Sequence, residues 1–395
     1  MTRASRLLLA LLAGAVAAGL TACGVEGTAV PGEIDVRTLD VGEYPVDKHN
    51  YPQNSGGNGA LLEGMRMSEV VPPGVRVDPV LKVGRTGHVC LDPQDAENDF
   101  LAVGSGPVLR RNGMVIGYGA SSADIPDPEG SDFPSDTATS ITELVIRFPS
   151  ESAAKVAARE LEDVDFAYAP DQNRRLNLTE HPDAYIHWRP TVANIGTFMP
   201  YRQFVISLFI GRPNSDATDL LNWVRKTLDA TVAALDAFTP TPADKLDSLT
   251  VDPDRMLARV ITADRENRTP DPDTFAVYGP TGFIHGATDQ PLVNRLLTDS
   301  GVDRVATVDG NTVMRARDSG AATTLMADLS THLVDYDPFA APKDVPGAKC
   351  FERADAAWYR CFVTYGRYVG IVDSDSESDV RQKIAAQYAL FANSL

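Results

Sequence analysis

The sequence predicts an α+β protein of two related lobes, each an antiparallel sheet with helices packed on one face. Three observations predict it. Apolar spacing runs through the same order twice: strand, helix, two or three strands, helix. Two segments of the first half have counterparts in the second at nearly one offset. Arg111–Gly117 parallels Pro280–Gly286 at 169, each an apolar triplet between glycines, and Val145–Ala154 parallels Val313–Ala322 at 168. Finally, the proline-rich run Thr239–Asp244 separates the halves as a linker. A repeat this long means a duplicated domain, since solenoid periods run about 20–50 residues.

The elements follow in order. Glu33–Val41 is extended and predicts an edge strand within a Gly- and Pro-rich arm, which ends at the loop Tyr51–Gly59. Ala60–Val71 has helical spacing and stops at Pro72-Pro73, which a helix cannot pass. Ile141–Phe148 predicts a strand, and Ser150–Val164 a helix with Ala154, Ala157, Leu161 and Val164 inward. Strands at Ala184–Arg189 and Gln203–Ile210 lead to a long helix, Asp216–Phe238. In the second half, Arg304–Val308 and Thr312–Arg317 flank Asp309-Gly310-Asn311, a strong hairpin signal. Asp318–Leu333 predicts a helix, and Lys349–Arg353, Trp358–Thr364 and Tyr368–Val372 predict strands. The last helix is Glu377–Phe391, entered through the capping-box-like Ser376-Glu377-Ser378-Asp379. The organisation read from these signals is a signal peptide at 1–22, a tether and arm at 23–58, a first lobe at 59–238, a linker at 239–254 and a second lobe at 255–395.

The first 22 residues carry an address. Arg3 and Arg6 precede an uncharged apolar run from Leu7 to Leu20, shorter than the roughly 20 residues that cross a bilayer but right for a signal peptide. Leu20-Thr21-Ala22-Cys23 then resembles a bacterial lipobox, in which the Cys23 thiol receives the lipid and the chain is cut just before it. Two acyl chains anchor stably where one binds marginally. The expected location is therefore the extracytoplasmic face of the cell membrane, held by lipid at Cys23. Outside the cytoplasm disulfides persist. Of the remaining thiols, Cys350 and Cys361 bracket about one hairpin and are the favoured pair over either pairing with Cys90, which reads as a small buried hydrophobe.

Composition narrows the function. The chain of 395 residues has 54 acidic and 36 basic residues, a net charge of −18, with 43% hydrophobic residues. That is a globular protein, and its acidity argues against nucleic acid, whose phosphates recruit clustered Lys and Arg. The lipobox, the segment Pro31–Pro45 and Leu62–Met67 together resemble a family of actinobacterial, mycobacterial- or nocardial-type cell-envelope lipoproteins, a domain of unknown function. The resemblance implies location and architecture, and brings no activity with it.

Motifs for chemistry are incomplete. Ser152-Ala153-Ala154-Lys155 matches S-x-x-K, but the companion elements of that enzyme class are missing. Asp373–Asp379 opens like a calcium loop yet has Ser378 and Ile384 where Gly and Glu are needed, so it reads as an acidic helix start. His181 and His187 have no metal-ligand spacing, and His285 reads as a strand residue. Trp188, Trp223 and Trp358 read as core anchors, with Tyr185 and His187 sharing a strand face. No catalytic residue, metal site or cofactor is assigned. The reading is a non-catalytic binding or interaction module whose partners are the membrane and an envelope lipid, glycan or protein. The alternative is an envelope hydrolase using a serine or carboxylate site that no motif marks.

Overall fold

The computed structural model describes residues 34–395; Cys23 and the leader lie outside the described residues. Two short helices, α1 (Gly59–Arg66) and α2 (Gly74–Val77), precede the first sheet. The first lobe then runs β1 (Val83–Cys90), α3 (Pro93–Asp99), α4 (Ser105–Asn112), β2 (Ile116–Ala123), β3 (Ser140–Arg147), α5 (Glu151–Phe166), β4 (Arg174–Leu176), β5 (Tyr185–Trp188), β6 (Asn194–Tyr201), β7 (Phe204–Gly211) and α6 (Ala217–Ala237). The second runs β8 (Phe275–Tyr278), α7 (Pro280–His285), α8 (Gln290–Asp299), β9 (Arg304–Val308), β10 (Asn311–Arg315), α9 (Ser319–Thr331), β11 (Tyr336–Phe339), β12 (Lys349–Arg353), β13 (Tyr359–Tyr365), β14 (Tyr368–Ser374) and α10 (Glu377–Ser394). The element order is the same in both.

The sheets repeat as well. Their strand orders are β1-β2-β3-β7-β6-β5-β4 and β8-β9-β10-β14-β13-β12-β11, antiparallel throughout, so each strand has a counterpart in the other sheet. The architecture is α+β in two related lobes. Register fixes the equivalence residue by residue: Val145 faces Ile206 and Ile206 faces Met199, as Val313 faces Gly370 and Gly370 faces Val363. The caps agree, since Ser150 and Asp318 each accept a hydrogen bond from the backbone three residues on, starting α5 and α9.

Helices cover both faces of each sheet, where the sequence pattern predicts one. In β3, Leu144 and Ile146 pack with Ala154, Ala157 and Leu161 of α5, whereas the alternate residue Glu143 accepts a hydrogen bond from Thr231 of α6. In the second lobe Val369 packs with α9, and its neighbour Gly370 lies against Gln387 and Phe391 of α10. Ile141–Ile146 is buried at every position but Thr142, the mark of a strand covered on two sides.

The glycine-flanked triplets are not equivalent. Arg111–Gly117 joins α4 to β2, while Pro280–Gly286 is helix α7 and its end, which also places His285 on a helix. Residues 124–139 connect β2 to β3, but only Asp309 and Gly310, both at positive φ, connect β9 to β10. The insertion shifts the true offset before β3, so a match at constant offset across it is coincidence.

Among the described residues the arm forms no strand. Val36–Thr38 is a 3-10 turn, and the chain then lies along the second lobe. Tyr44 donates to Asp379 at 2.7 Å, Asn393 donates to the Val46 carbonyl at 2.7 Å, and Tyr51 meets the Phe275 ring edge-on. Gly42, at φ 56°, donates to the Asp40 carboxylate and turns the arm out of extended conformation.

Polar groups knit the halves. Glu63 of α1, fully buried, takes Arg147 Nη1 at 2.6 Å and both the backbone N–H and hydroxyl of Thr241. Buried His285 bridges Tyr118 of β2, 2.9 Å from Nδ1, and the Val71 carbonyl, 2.8 Å from Nε2. A carbonyl only accepts, so Nε2 carries the proton and Nδ1 accepts from the tyrosine. Burial pushes this imidazole down to about 4. A Cβ on Gly87 would lie 2.3 Å from that of His285, so only glycine lets α7 reach the first sheet there.

Candidate functional site

Four polar side chains converge at the end of α5 over the β5–β6 edge of the first sheet. Glu162 and Asp165 sit on the helix face that carries Leu161, one turn apart, and therefore point toward the sheet. His187 of β5 rises between them, with Nδ1 3.8 Å from Glu162 and Nε2 3.7 Å from Asp165. Arg175 of β4 closes the far side, 3.2 Å from Glu162, its guanidinium stacked 4.0 Å over Phe166. Glu162 is fully buried and His187 is 8% exposed. Glu162 Oε1 and His187 Nδ1 nevertheless have no hydrogen-bond partner. Burial raises the Asp165 carboxyl above its ordinary range, His187 pulls it back, and Glu162 adds to the rise.

One glycine makes the arrangement possible. Gly196 of β6 pairs with His187, and a Cβ there would lie 3.0 Å from the imidazole, tight enough to push the ring aside. Gly196 also pairs with Phe209 of β7, whose ring is 48% exposed. Between them opens a cleft of about 290 Å³, walled by Asp165, Asn173, His187, Arg189 and Asn194, with Tyr168 at its mouth. Arg189 Nε is buried there without a partner.

The second lobe is an internal control. By register Gly196 corresponds to Arg360, His187 to Phe351 and Phe209 to Asp373. Arg360 and Asp373 form an ion pair at 2.7 Å where the first lobe has Gly196 and Phe209. At equal spacing from the helix caps, Glu162 and Asp165 correspond to Ser330 and Leu333. The fold is therefore built without the charged cluster, and burying such groups is costly.

Other hollows offer less chemistry. A groove of about 840 Å³ beside α9, lined by Phe283, Leu292, Val293 and Leu333, arises because α7 docks on the first lobe. Its Arg360 is already paired with Asp373. A hollow of about 360 Å³ between α1 and β8 has Arg66 and Glu69 on its wall, held by Glu63 and Thr281.

The residues singled out in the sequence are scattered. Ser152 and Lys155 are on the solvent side of α5, and Lys155 pairs with Glu151 at 2.7 Å. Asp373 belongs to Arg360, and Asp379 caps a network of Ser374, Tyr44 and Lys383. Among the described residues no group of three His, Cys, Asp or Glu side chains is placed to hold a metal. His181 pairs with Asp229 at 2.8 Å. Trp223 is buried and Trp188 half-buried, but Trp358 is 40% exposed and anchors no core. Cys350 and Cys361 face each other across β12–β13 and are disulfide-bonded, with Cα atoms 4.1 Å apart. Cys90 is free and buried, and burial pushes its thiol up. Of the cleft, the sequence pointed only to the strand holding His187 and Trp188. The missed signal was Glu162 and Asp165 at inward positions of an otherwise apolar helix face.

The family described as domain of unknown function DUF7373 matches the chain twice, its N-terminal part over residues 50–251 and its C-terminal part over residues 256–394. No curated protein matches. Among solved structures the chain is similar to the extracellular domain of PknH from Mycobacterium tuberculosis, at 12% identity and a TM-score of 0.30, over 42% of this chain and 94% of that one.

Proposed function

The chain belongs to the DUF7373 family, and from that premise we propose that it is an exported cell-envelope protein, anchored through lipid at Cys23, that binds a ligand in the first-lobe cleft without transforming it. The leader with its lipobox supports the address. One observation carries the binding reading: two copies of one fold differ at this place, where the first has buried, partly unpaired polar groups beside an open space and the second has the Arg360–Asp373 ion pair. Among the described residues lining the cleft are no Ser, Thr or Cys, and the carboxylates of Glu162 and Asp165 flank the two nitrogens of one imidazole. That geometry organises a pocket wall and does not place an acid and a base on opposite sides of a substrate, which favours binding over the hydrolase alternative.

Photocrosslinking in the native membrane tests the reading. A photoreactive residue replacing Tyr168, 67% exposed at the cleft mouth, should capture a ligand adduct. The same residue replacing Val156, 46% exposed on the outer face of α5, should not. Equal capture at both positions, or none at Tyr168, would contradict the proposal.

A further inference from the structure

We infer that the ligand of the first-lobe cleft is a neutral sugar ring, held face-on by Phe209 and edge-on by Asp165, Asn173, Arg189 and Asn194. The inference rests on the binding reading above and adds its chemistry.

The argument begins with what the cleft is made of. Phe209 stands on the central strand β7 with about half its surface open, where the sister lobe has a charged Asp373. An exposed aromatic ring inside a concavity leaves an apolar face unfilled. Around it stand planar side chains that pair two neighbouring donors or acceptors at once: a carboxylate, two amides and a guanidinium. Asn173 gives its amide N–H to the Phe166 carbonyl at 2.8 Å, which fixes the side chain in the wall of the cleft. A pyranose ring has the matching surface, with C–H bonds on one face for the aromatic ring and adjacent hydroxyls on its rim for the bidentate groups.

Charge and size remove the alternatives. An anion would meet Asp165 and a chain of net charge −18. A cation would meet Arg189. A neutral polyol meets neither penalty, and it can satisfy the orphaned Arg189 Nε directly or through one water. At about 290 Å³ the cleft is at the small end of ligand sites, enough for one ring and too short for an acyl chain. Its open side lets the rest of a glycan continue into solvent past Tyr168, so a chain end or a single residue within a chain both fit.

The experiment is saturation-transfer NMR on the full chain, held in a detergent without a sugar headgroup. One arm presents methyl glycosides of glucose, galactose, mannose and N-acetylglucosamine. The second arm presents non-sugar probes of similar size: a diamine, a dicarboxylate and an indole. The expected result is transfer to the ring C–H protons of at least one glycoside, weakened by about tenfold in Phe209→Ala and in His187→Phe, the latter carrying the sister lobe's residue. Phe209 is half exposed, so its truncation leaves the core intact. Binding of a non-sugar probe that depends on Phe209, with every glycoside silent, would overturn the sugar assignment and keep the cleft as a binding site. Silence in both arms would overturn both. Glycoside binding that survives Phe209→Ala would overturn this placement of the sugar.

Discussion

Single residues set the pH behaviour of this fold, and Glu143 is the clearest case. It is fully buried on β3 beneath α6, its one hydrogen bond coming from the Thr231 hydroxyl at 2.5 Å, and burial pushes its carboxyl from 4.5 up to about 8. Between those values the unfolded chain is ionised at this position while the folded chain keeps its proton. Unfolding then releases a proton, so this group's contribution to stability falls as pH rises through the window and levels off above it. Glu143→Gln keeps an acceptor for Thr231 and removes the titration. Relative to the parent, the variant should gain a few kcal/mol between pH 5 and pH 8, on the order of 1.4 for each pH unit crossed as an upper bound. Urea unfolding at the two pH values measures it, and an equal difference at both would refute the assignment. His285 behaves oppositely: burial holds its imidazole down to about 4, so the unfolded chain takes up a proton that the folded chain refuses, and this group's contribution to stability falls as pH drops from 6.5 toward that value.

At the scale of elements, legibility depended on how a segment is covered. Helices α5, α6, α9 and α10 have caps at Ser150, Asp216, Asp318 and Ser376 and were readable from spacing, although α10 is buried all round from Ile384 to Phe391. Strand β1 was not, because Gly84 and Gly87 dilute its pattern for a reason outside the strand, the close approach of α7. The two-sided burial of β3 was hinted at by the continuous apolar triplet Leu144–Ile146, but a run of that kind does not say which helix takes which face. The β12–β13 hairpin offers an element-scale prediction. Cys350 and Cys361 occupy the places that Ile186 and Thr197 hold in the first lobe, where the pair forms without a disulfide. Cys350→Ile combined with Cys361→Thr should therefore fold, with stability lowered by about 3 kcal/mol or less, the entropy of opening a short loop. Thermal unfolding checks this; an unfolded variant would mean that the bridge, and not the register, defines the hairpin.

Across the whole molecule, duplication is the organising fact. One topology was used twice; the second copy has the Arg360–Asp373 ion pair where the first has Gly196 and Phe209, beside an imidazole between two acids. The repeat was visible in the sequence only around Val145 and Val313, since insertions on either side break the offset, and the cleft was invisible because its parts come from α5, β5, β6 and β7. Anchoring belongs to this scale too. Cys23→Ser should move the protein from the membrane to the soluble extracellular fraction, or leave it as uncleaved precursor, as fractionation and mass spectrometry would report. A mature, membrane-bound and unlipidated product would contradict the anchor. The central claim, that the first lobe binds and the second does not, is tested most directly by hydrogen–deuterium exchange of the protein in its native membranes against the same protein purified. Slower exchange in the membranes at residues 166–173, 185–196 and 205–211, with 336–360 unchanged, is the predicted result; equal protection in both lobes, or none in the first, would contradict it.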